Sequence, residues 1–569
     1  MSIPATREEI ASLKWGSLDV IIVTGDALID SPFIGAAVIA RVLLKAGYRV
    51  AIISQPDLNS GNDIMRFGEP KLFWGVTAGA VDSMVANYTA LLKKIQVDDM
   101  TPGGDNDKRP DRATIGYTNL IKKYFKNTKP VILGGLEASL RRVAHYDYWS
   151  DRIRRSILFD AKADAIIYGM GEKAVLETAA CLKNGESLLD VKGLCFADRD
   201  ARPGYIELPS FEECSRDKNK FAEMFKTFYD NTDPLTAKGL CQKQDTRYLI
   251  QNPPQSNLTP QELDAVYELP FTREAHPSDL AKGEVRAQDT IKFSITSHRG
   301  CYGECNFCAI TAHQGATVVS RSEDSIVAEA ERITRVNGYK GYITDLGGPT
   351  ANMYGIECAQ KQKVGRCKEK RCLFPAACVN MKIDHSRQVE LLKRVSKVKG
   401  LKKVFVASGI RYDMVMADGK HGRDYISTVA ANHVSGQLKV APEHCEHAVL
   451  KLMGKTGTGS LKEFKKVFDS ESGKAGRGQF MTYYFMAAHP GCTEMDMKKA
   501  RDFAEKELKT RPEQVQVFTP TPSTYSTLMY YTGTDPFTGK PVFVEKGLRG
   551  KSIQKEVLVP KRSNPGNRR

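Results

Sequence analysis

Short apolar runs rich in β-branched residues alternate with longer amphipathic segments along most of the chain. The first run, residues 19–24 (DVIIVT), reads as a buried strand that ends in a Gly/Asp/Pro turn. In the stretch that follows, GAAVIARVLLKAGYRVAIISQPD, Val38, Ala40, Val42 and Leu43 fit a helix, Gly47 ends it, and a new strand runs over 50–54. This is a βαβ unit. The same grammar of strand, glycine-bearing turn and helix returns at 129–139 (KPVILGGLEAS) and 163–182 (ADAIIYGMGEKAVLETAACL), which predicts a doubly wound, Rossmann-like parallel sheet over 1–200. Ligands of such sheets bind beyond the carboxyl ends of the strands. Asp26, Asp30, Gly134, Gly135, Glu137 and Gly171 are therefore candidates, although each glycine can equally serve only its turn.

Periodicity fades over 201–285, where Pro, Asn and Gln accumulate (QNPPQSNLTPQELDAVYELPFTREAHP), predicting a linker with short helices. A second α/β series opens at 289–297 (DTIKFSITS). Further strands are predicted at 339–348, 402–413, 436–444, 479–491 and 513–523. Between them Ile326, Ala330 and Ile333 share one helical face, as do Ala500, Phe503, Ala504 and Leu508. Six strands alternating with helices predict a partial (β/α)6 barrel over 286–520, whose chemistry would sit at the strand C-termini. Residues 521–569 form a C-terminal extension, and from about Pro560 its Pro, Gly, Asn and charge read as disorder.

At 569 residues the chain is too long for one hydrophobic core, so two or three domains are expected. Hydrophobic residues at 41% and charged residues at 26% describe a globular chain and exclude a membrane protein or a largely disordered one. Arg7, Glu8 and Glu9 stand where a secretory signal needs an apolar core, and no run is long enough to span a bilayer; a cytoplasmic location without a membrane partner is expected. In that compartment the thirteen cysteines are thiols or metal ligands rather than disulfides. Net charge is +16, and 546–569 carries eight Lys or Arg against one acid, Glu556. Such a tail is either a solvated, mobile end or an electrostatic anchor for RNA.

Charge changes the list of partners; the cysteines change the chemistry. SHRGCYGECNFCAIT, residues 297–311, sets Cys301, Cys305 and Cys308 at C-x3-C-x2-C. Zinc templates complete four ligands from paired elements, and three thiolates with no adjacent pair do not. A [4Fe-4S] cluster can take three thiolates on a compact loop and leave one iron open to a non-protein ligand. A second group, Cys358, Cys367, Cys372 and Cys378, sits on a Lys-rich loop with spacings x8, x4 and x5 that match no common template. It could hold zinc, hold a second iron–sulfur cluster, or consist of plain thiols, with His385 as an outer partner. Cys181, Cys195, Cys214 and Cys241 read as ordinary buried thiols.

The first motif, with Phe307 before its last cysteine and the end of a barrel's first strand before it, resembles the radical SAM superfamily. The resemblance implies that Cys301, Cys305 and Cys308 bind a [4Fe-4S] cluster, that S-adenosylmethionine chelates the fourth iron, and that a one-electron reductant of flavodoxin or ferredoxin type is a partner. DLGGPTANMYG resembles the superfamily's Gly-Gly-Glu segment: Gly347 and Gly348 match, while Pro349 replaces the acid, so only a backbone contact carries over. By position Ser408, Arg411, Lys439 and Glu443, at the ends of later strands, resemble residues that contact the cofactor's carboxylate, ribose or adenine; each could equally be a structural salt-bridge partner.

GDALIDSPFIGAAVIARVL, VILGGLEASLRRVAHYDYWSD, HQGATVVSRSEDSI, LKVAPEH, YYFMAAHPG and VQVFTPTPSTYSTLMYYTGTDP together resemble the YgiQ-type family of radical SAM proteins. That likeness implies an N-terminal domain similar to cobalamin-binding domains, a radical SAM core and a C-terminal extension. Where protein-ligated cobalamin needs D-x-H-x-x-G, this chain has Asp30-Ser31-Pro32-Phe33-Ile34-Gly35; Pro32 cannot ligate cobalt, which leaves a base-off cobalamin or an empty domain, and the empty domain is the expectation. The expected function is radical cleavage of S-adenosylmethionine acting on an unidentified substrate. The alternatives are an RNA-modifying methyl- or methylthiotransferase-like enzyme, and a non-catalytic metal-bearing binding protein.

Overall fold

Successive strand residues point to opposite faces, and in the computed structural model, which describes residues 2–369 and 371–559, the first strand divides its apolar side chains between two cores. In β1 (Val20–Thr24) Ile21 and Val23 pack with Ala113, Tyr117, Leu120 and Ile121 of the helix Ala113–Tyr124. Val20 and Ile22 pack on the other side with Ala37, Ala40 and Leu43 of the helix Gly35–Lys45 and with Ala174, Val175 and Ala179 of the helix Glu172–Asn184. Helices on both faces make the sheet doubly wound, as expected. The strands β2 (Val50–Ser54), β3 (Phe73–Thr77), β4 (Val131–Leu133) and β5 (Ala165–Ile167) join β1 in parallel in the order β2-β1-β3-β4-β5. In that order the connections reverse at β1 and β3, and a crevice opens beyond their carboxyl ends.

The expectation of a linker over 201–285 is corrected, because the sheet continues through much of it. After β6 (Leu194–Asp198) come β7 (Ile206–Leu208), β8 (Leu240–Gln244) and β9 (Arg247–Gln251), which extend the sheet to nine strands in the order β5-β6-β9-β8-β7. These strands read as polar because their buried glutamines serve neighbouring segments. Gln242 Oε1 accepts from Ala144 N at 2.9 Å, Gln244 Oε1 from Ser156 N at 2.9 Å, and Gln251 Oε1 from Arg142 Nε at 3.0 Å. Each of these bonds offsets part of the cost that polar side chains otherwise carry inside a sheet.

The second series is a run of parallel strands: β10 (Ser294–Thr296), β11 (Tyr342–Ile343), β12 (Asp345–Gly347), β13 (Lys403–Val404), β14 (Gln437–Glu443), β15 (Phe480–Ala487) and β16 (Gln514–Val517). β10 pairs with β12, β11 with β13, and β15 with both β14 and β16, while the bridge Ile410↔Val440 and the bond Leu346 N to Phe405 O join these pieces. The first strand is shorter than expected because residues Ala287–Ile291 are helical. Ile326, Ala330 and Ile333 are buried on the helix Glu323–Ile333, in the same core that holds Ile21 and Val23.

The extension is not a free basic tail over its described part. The helix Leu548–Leu558 packs on the barrel: Lys551 Nζ donates to the hydroxyls of Tyr148 (2.9 Å) and Tyr530 (2.8 Å), and Gln554 accepts from Ala488 N at 2.8 Å. Burial lowers the Lys551 ammonium to about 8. The disorder expected from about Pro560 falls outside the described residues. Among the described residues no helix is long and apolar enough to cross a membrane.

Candidate active site

The cysteine loop leaves β10 through a clasp in which His298 and Arg299 pair antiparallel with Ser320 and Val319. Gly300, at φ +82°, makes the turn; a Cβ there would lie 2.1 Å from Thr317 O, so no other residue fits. Within the loop the sulfurs gather round Gly303, whose Cβ, if present, would lie 3.2 Å from Cys301 Sγ and 3.7 Å from Cys305 Sγ. Gly303 N donates to Cys301 Sγ at 3.3 Å, Thr350 Oγ1 lies 3.6 Å from the same sulfur, and Arg411 Nη1 donates to Cys305 Sγ at 3.5 Å. Burial, with Cys305 and Cys301 adding to it, pushes the Cys308 thiol up to about 12. A bound metal beside the three sulfurs would favour their thiolate form. Among the described residues no three His, Cys, Asp or Glu converge on a point that could hold one metal ion. Cys301 and Cys305 lie together at Gly303 with Cys308 on the same loop, a donor set that could hold a polynuclear cluster.

Beside Cys308 the barrel encloses a chamber of about 860 Å³ walled by Phe307, Cys308, Ser408, Lys439 and Glu443. Phe307 is held edge-on by His489, the centroids 6.3 Å apart. Glu443 stands at a register shift in β14 with φ +68°, a backbone strain typical of functional walls. Burial pushes its carboxyl up against the pull of Lys455 and Arg411.

A second chamber, of about 560 Å³, lies between the carboxyl ends of the nine-stranded sheet and the mouth of the barrel. Gly134, Gly135 and Gly171 line it from the sheet side, and His298, Gly347 and Gly348 from the barrel side. Gly135 is required at φ +78°, where a Cβ would strike Thr77 Oγ1 at 2.4 Å. Phe33, Ala309, Asp345 and Ser408 border both chambers, so the two are neighbours across a shared wall. Sequence reasoning missed three polar groups here: His298 Nε2, His313 Nδ1 and Glu172 Oε2 are buried with no hydrogen-bond partner, and all three residues line this chamber. Burial pushes both histidines down to about 4, leaving them neutral at pH 7. Glu172 is buried too, yet stays ionised because Arg299 pairs with it. The signal was present in the chain, since His298 and His313 flank the cysteine motif.

Several candidates sit elsewhere. Arg411 does not line the barrel chamber; it lies against the cysteine loop, gripped by Asp413 (Nε to Oδ1 2.8 Å), with its backbone held by Asn352. Gly347 and Gly348 face the smaller chamber. Asp26, Asp30 and Glu137 line neither: Asp26 pairs with Arg109, Asp30 with Arg41, and Glu137 accepts from Ser83 N (2.8 Å) and Thr114 Oγ1 (2.5 Å). His385 is not an outer partner of the second cysteine group, because Asp418 (2.8 Å) and Asn352 (3.1 Å) take both its ring nitrogens. Cys358, Cys372 and Cys378 pack together, with Cys301 at the edge of the same group.

Residues 2–294 match the family described as Radical SAM N-terminal, and residues 513–565 match a domain of unknown function, DUF3362. A UPF0313 protein of Fusobacterium nucleatum is 52% identical over 563 residues, covering 99% of both chains. One from Thermotoga petrophila is 49% identical over 565 residues, again 99% of both, and one from Methanocella arvoryzae is 47% identical over 99% of this chain and 93% of its own. Two solved structures share the fold. The radical S-adenosylmethionine methyltransferase TsrM from Kitasatospora setae, with cobalamin and a [4Fe-4S] cluster bound, superposes with a TM-score of 0.50 at 14% identity, over 89% of this chain and 76% of that one. The cobalamin-dependent S-adenosylmethionine radical enzyme OxsB, with aqua-cobalamin bound, gives 0.50 at 12% identity over 94% and 58%. With relatives matched end to end and its first half matched to that family, the chain belongs to the UPF0313 family of radical SAM proteins.

Proposed function

We propose that this protein is an enzyme that holds a [4Fe-4S] cluster on Cys301, Cys305 and Cys308 and binds S-adenosylmethionine in the barrel chamber. The observation that carries the reading is the placing of the Cys301 and Cys305 sulfurs round Gly303, with Cys308 opening onto an 860 Å³ chamber. When bound, the cluster and S-adenosylmethionine supply reductive cleavage to a 5'-deoxyadenosyl radical. The chain's own groups receive and shield that chemistry. Lys439 lines the chamber with no ion pair to any described residue, suiting a carboxylate; Glu443 suits ribose hydroxyls; Phe307 offers an apolar face. The neighbouring 560 Å³ chamber suits the substrate, since its apolar walls carry the unpartnered atoms of His298, His313 and Glu172.

Anaerobic reconstitution with iron and sulfide, then dithionite and S-adenosylmethionine, tests the reading. 5'-Deoxyadenosine is expected by mass spectrometry, and none from Cys308→Ala. Its absence from the fully loaded protein would sink the enzyme reading and leave the metal-bearing binding protein. A second reading, methyl transfer through cobalamin in the smaller chamber, draws on the cobalamin held by TsrM and OxsB and on the chamber's place at the strand carboxyl ends. Pro32 requires that any such cobalt be unligated by the protein at that position.

A further inference from the structure

The loop carrying the second cysteine group lies over the first. Arg371 Nη1 donates to Glu304 O at 2.9 Å, and Arg366 Nε lies 2.6 Å from Glu304 Oε1, so two arginines of the segment grip the residue between Gly303 and Cys305. Cys358 and Cys372 are 4% and 6% exposed, Cys378 packs beside them, and Cys301 borders the same packed group. Cys378 N donates to Cys372 O at 2.8 Å, folding the segment back on itself. Cys367 is half-buried on the same loop.

Lys361 supplies an independent observation. It is 2% exposed, its ammonium donates to Ala316 O at 2.7 Å and lies beside the Cys372 thiol, and no described carboxylate pairs with it. A buried cation is costly unless negative charge meets it. Four thiolates on an iron–sulfur cluster carry a net negative charge, and that charge would fall at this ammonium. The same ammonium sits 5.3 Å from the ring of Tyr302. Tyr302 is fully buried, is bonded to Cys301, and faces Cys372 and Cys358, so it stands between the two cysteine groups. On the outer side Val379 is 97% and Val364 58% exposed, with Lys363, Lys368 and Lys382 exposed around them.

We propose that Cys358, Cys367, Cys372 and Cys378 hold a second iron–sulfur cluster that is the entry point for electrons to the cluster at Cys301, Cys305 and Cys308. The inference rests on the first cluster proposed above. A reduced flavin or iron–sulfur carrier protein with an acidic docking face gives up one electron at the Val364/Val379 surface. The second cluster gains it, then loses it to the first. No bond forms or breaks, and no proton need move.

Iron and acid-labile sulfide, counted after anaerobic reconstitution of the full chain, test the site. The wild type should hold about eight irons, and the triple Cys301/Cys305/Cys308→Ala variant about four, because its intact second segment still carries a cluster of about four. A triple variant with no iron, or with one zinc, overturns the proposal. Failure of the first-cluster reading is distinguishable, since Cys358/Cys367/Cys372/Cys378→Ser would then hold no iron while the triple variant kept it. The electron path is read from the ratio of flavodoxin-driven to dithionite-driven 5'-deoxyadenosine formation in Cys372→Ala. That ratio should fall by roughly tenfold or more. An unchanged ratio overturns the role in electron entry. Should Cys372→Ala fail to fold, Lys363→Glu/Lys368→Glu at the docking surface should lower the same ratio.

Discussion

Arg411 is held at both ends before it meets the cysteine loop. Asp413 binds its guanidinium, Asn352 binds its backbone, and the remaining nitrogen points at Cys305 Sγ, 3.5 Å away. With the proposed cluster bound, a cationic donor to its Cys305 ligand would stabilise the reduced, more negative state, so removing it should lower the midpoint potential. Arg411→Gln combined with Asp413→Asn, which leaves no buried carboxylate unpaired, should lower the potential by roughly 30 to 60 mV, since a one-electron couple moves about 59 mV per tenfold. Electron paramagnetic resonance during a redox titration measures it, and an unchanged potential would show that the contact only positions the loop. The cysteine spacing was legible in the sequence because the motif is local. The direction taken by Arg411 was not, because it depends on Asp413, Asn352 and a loop more than a hundred residues away in sequence.

At the scale of elements, legibility followed side-chain periodicity. β1, β2 and the helix Gly35–Lys45 were readable because each places apolar residues at the period of its own geometry. β8 and β9 were not, since Gln242, Gln244 and Gln251 occupy buried positions and accept from groups distant in sequence, two of them backbone amides and the third the Arg142 guanidinium. The chambers were also hidden, because their walls come from strand ends of two different sheets. The continuation of the sheet makes a concrete demand on any dissection of the chain. β6 pairs with β5 on one side and with β9 on the other, so a fragment ending at residue 200 exposes an open edge and strips the cover from Phe196 and Cys195. A fragment of residues 2–200 should aggregate or remain protease-sensitive, whereas 2–294 should give a soluble, protease-resistant core. Limited proteolysis with circular dichroism decides between them; a well-folded 2–200 would show that β7 to β9 are dispensable.

Across the whole molecule the two sheets meet at the cysteine loop, and one ion pair joins them there. Arg299, two residues before Cys301, pairs with Glu172, the first residue of the helix that follows β5, and also donates to Tyr267 OH at 3.2 Å. Both charges are almost fully buried, with side chains 11% and 5% exposed. Each therefore depends on the other: a buried charge left alone costs about 3–5 kcal/mol, whereas replacing both by apolar groups is close to neutral. Arg299→Met alone should destabilise the protein by about that amount and lower iron retention, because the root of the cysteine loop loses its anchor on the sheet. Arg299→Met with Glu172→Leu should recover most of the stability, giving a coupling of about 2 kcal/mol or more in a double-mutant cycle measured by urea unfolding. Iron retention should recover less than stability, since the neutral pair packs without fixing the loop's direction. Additive losses in the double variant would mean that the two charges act separately and that the union of sheet and barrel rests on the shared apolar core around Ile21, Val23, Ile326 and Ile333.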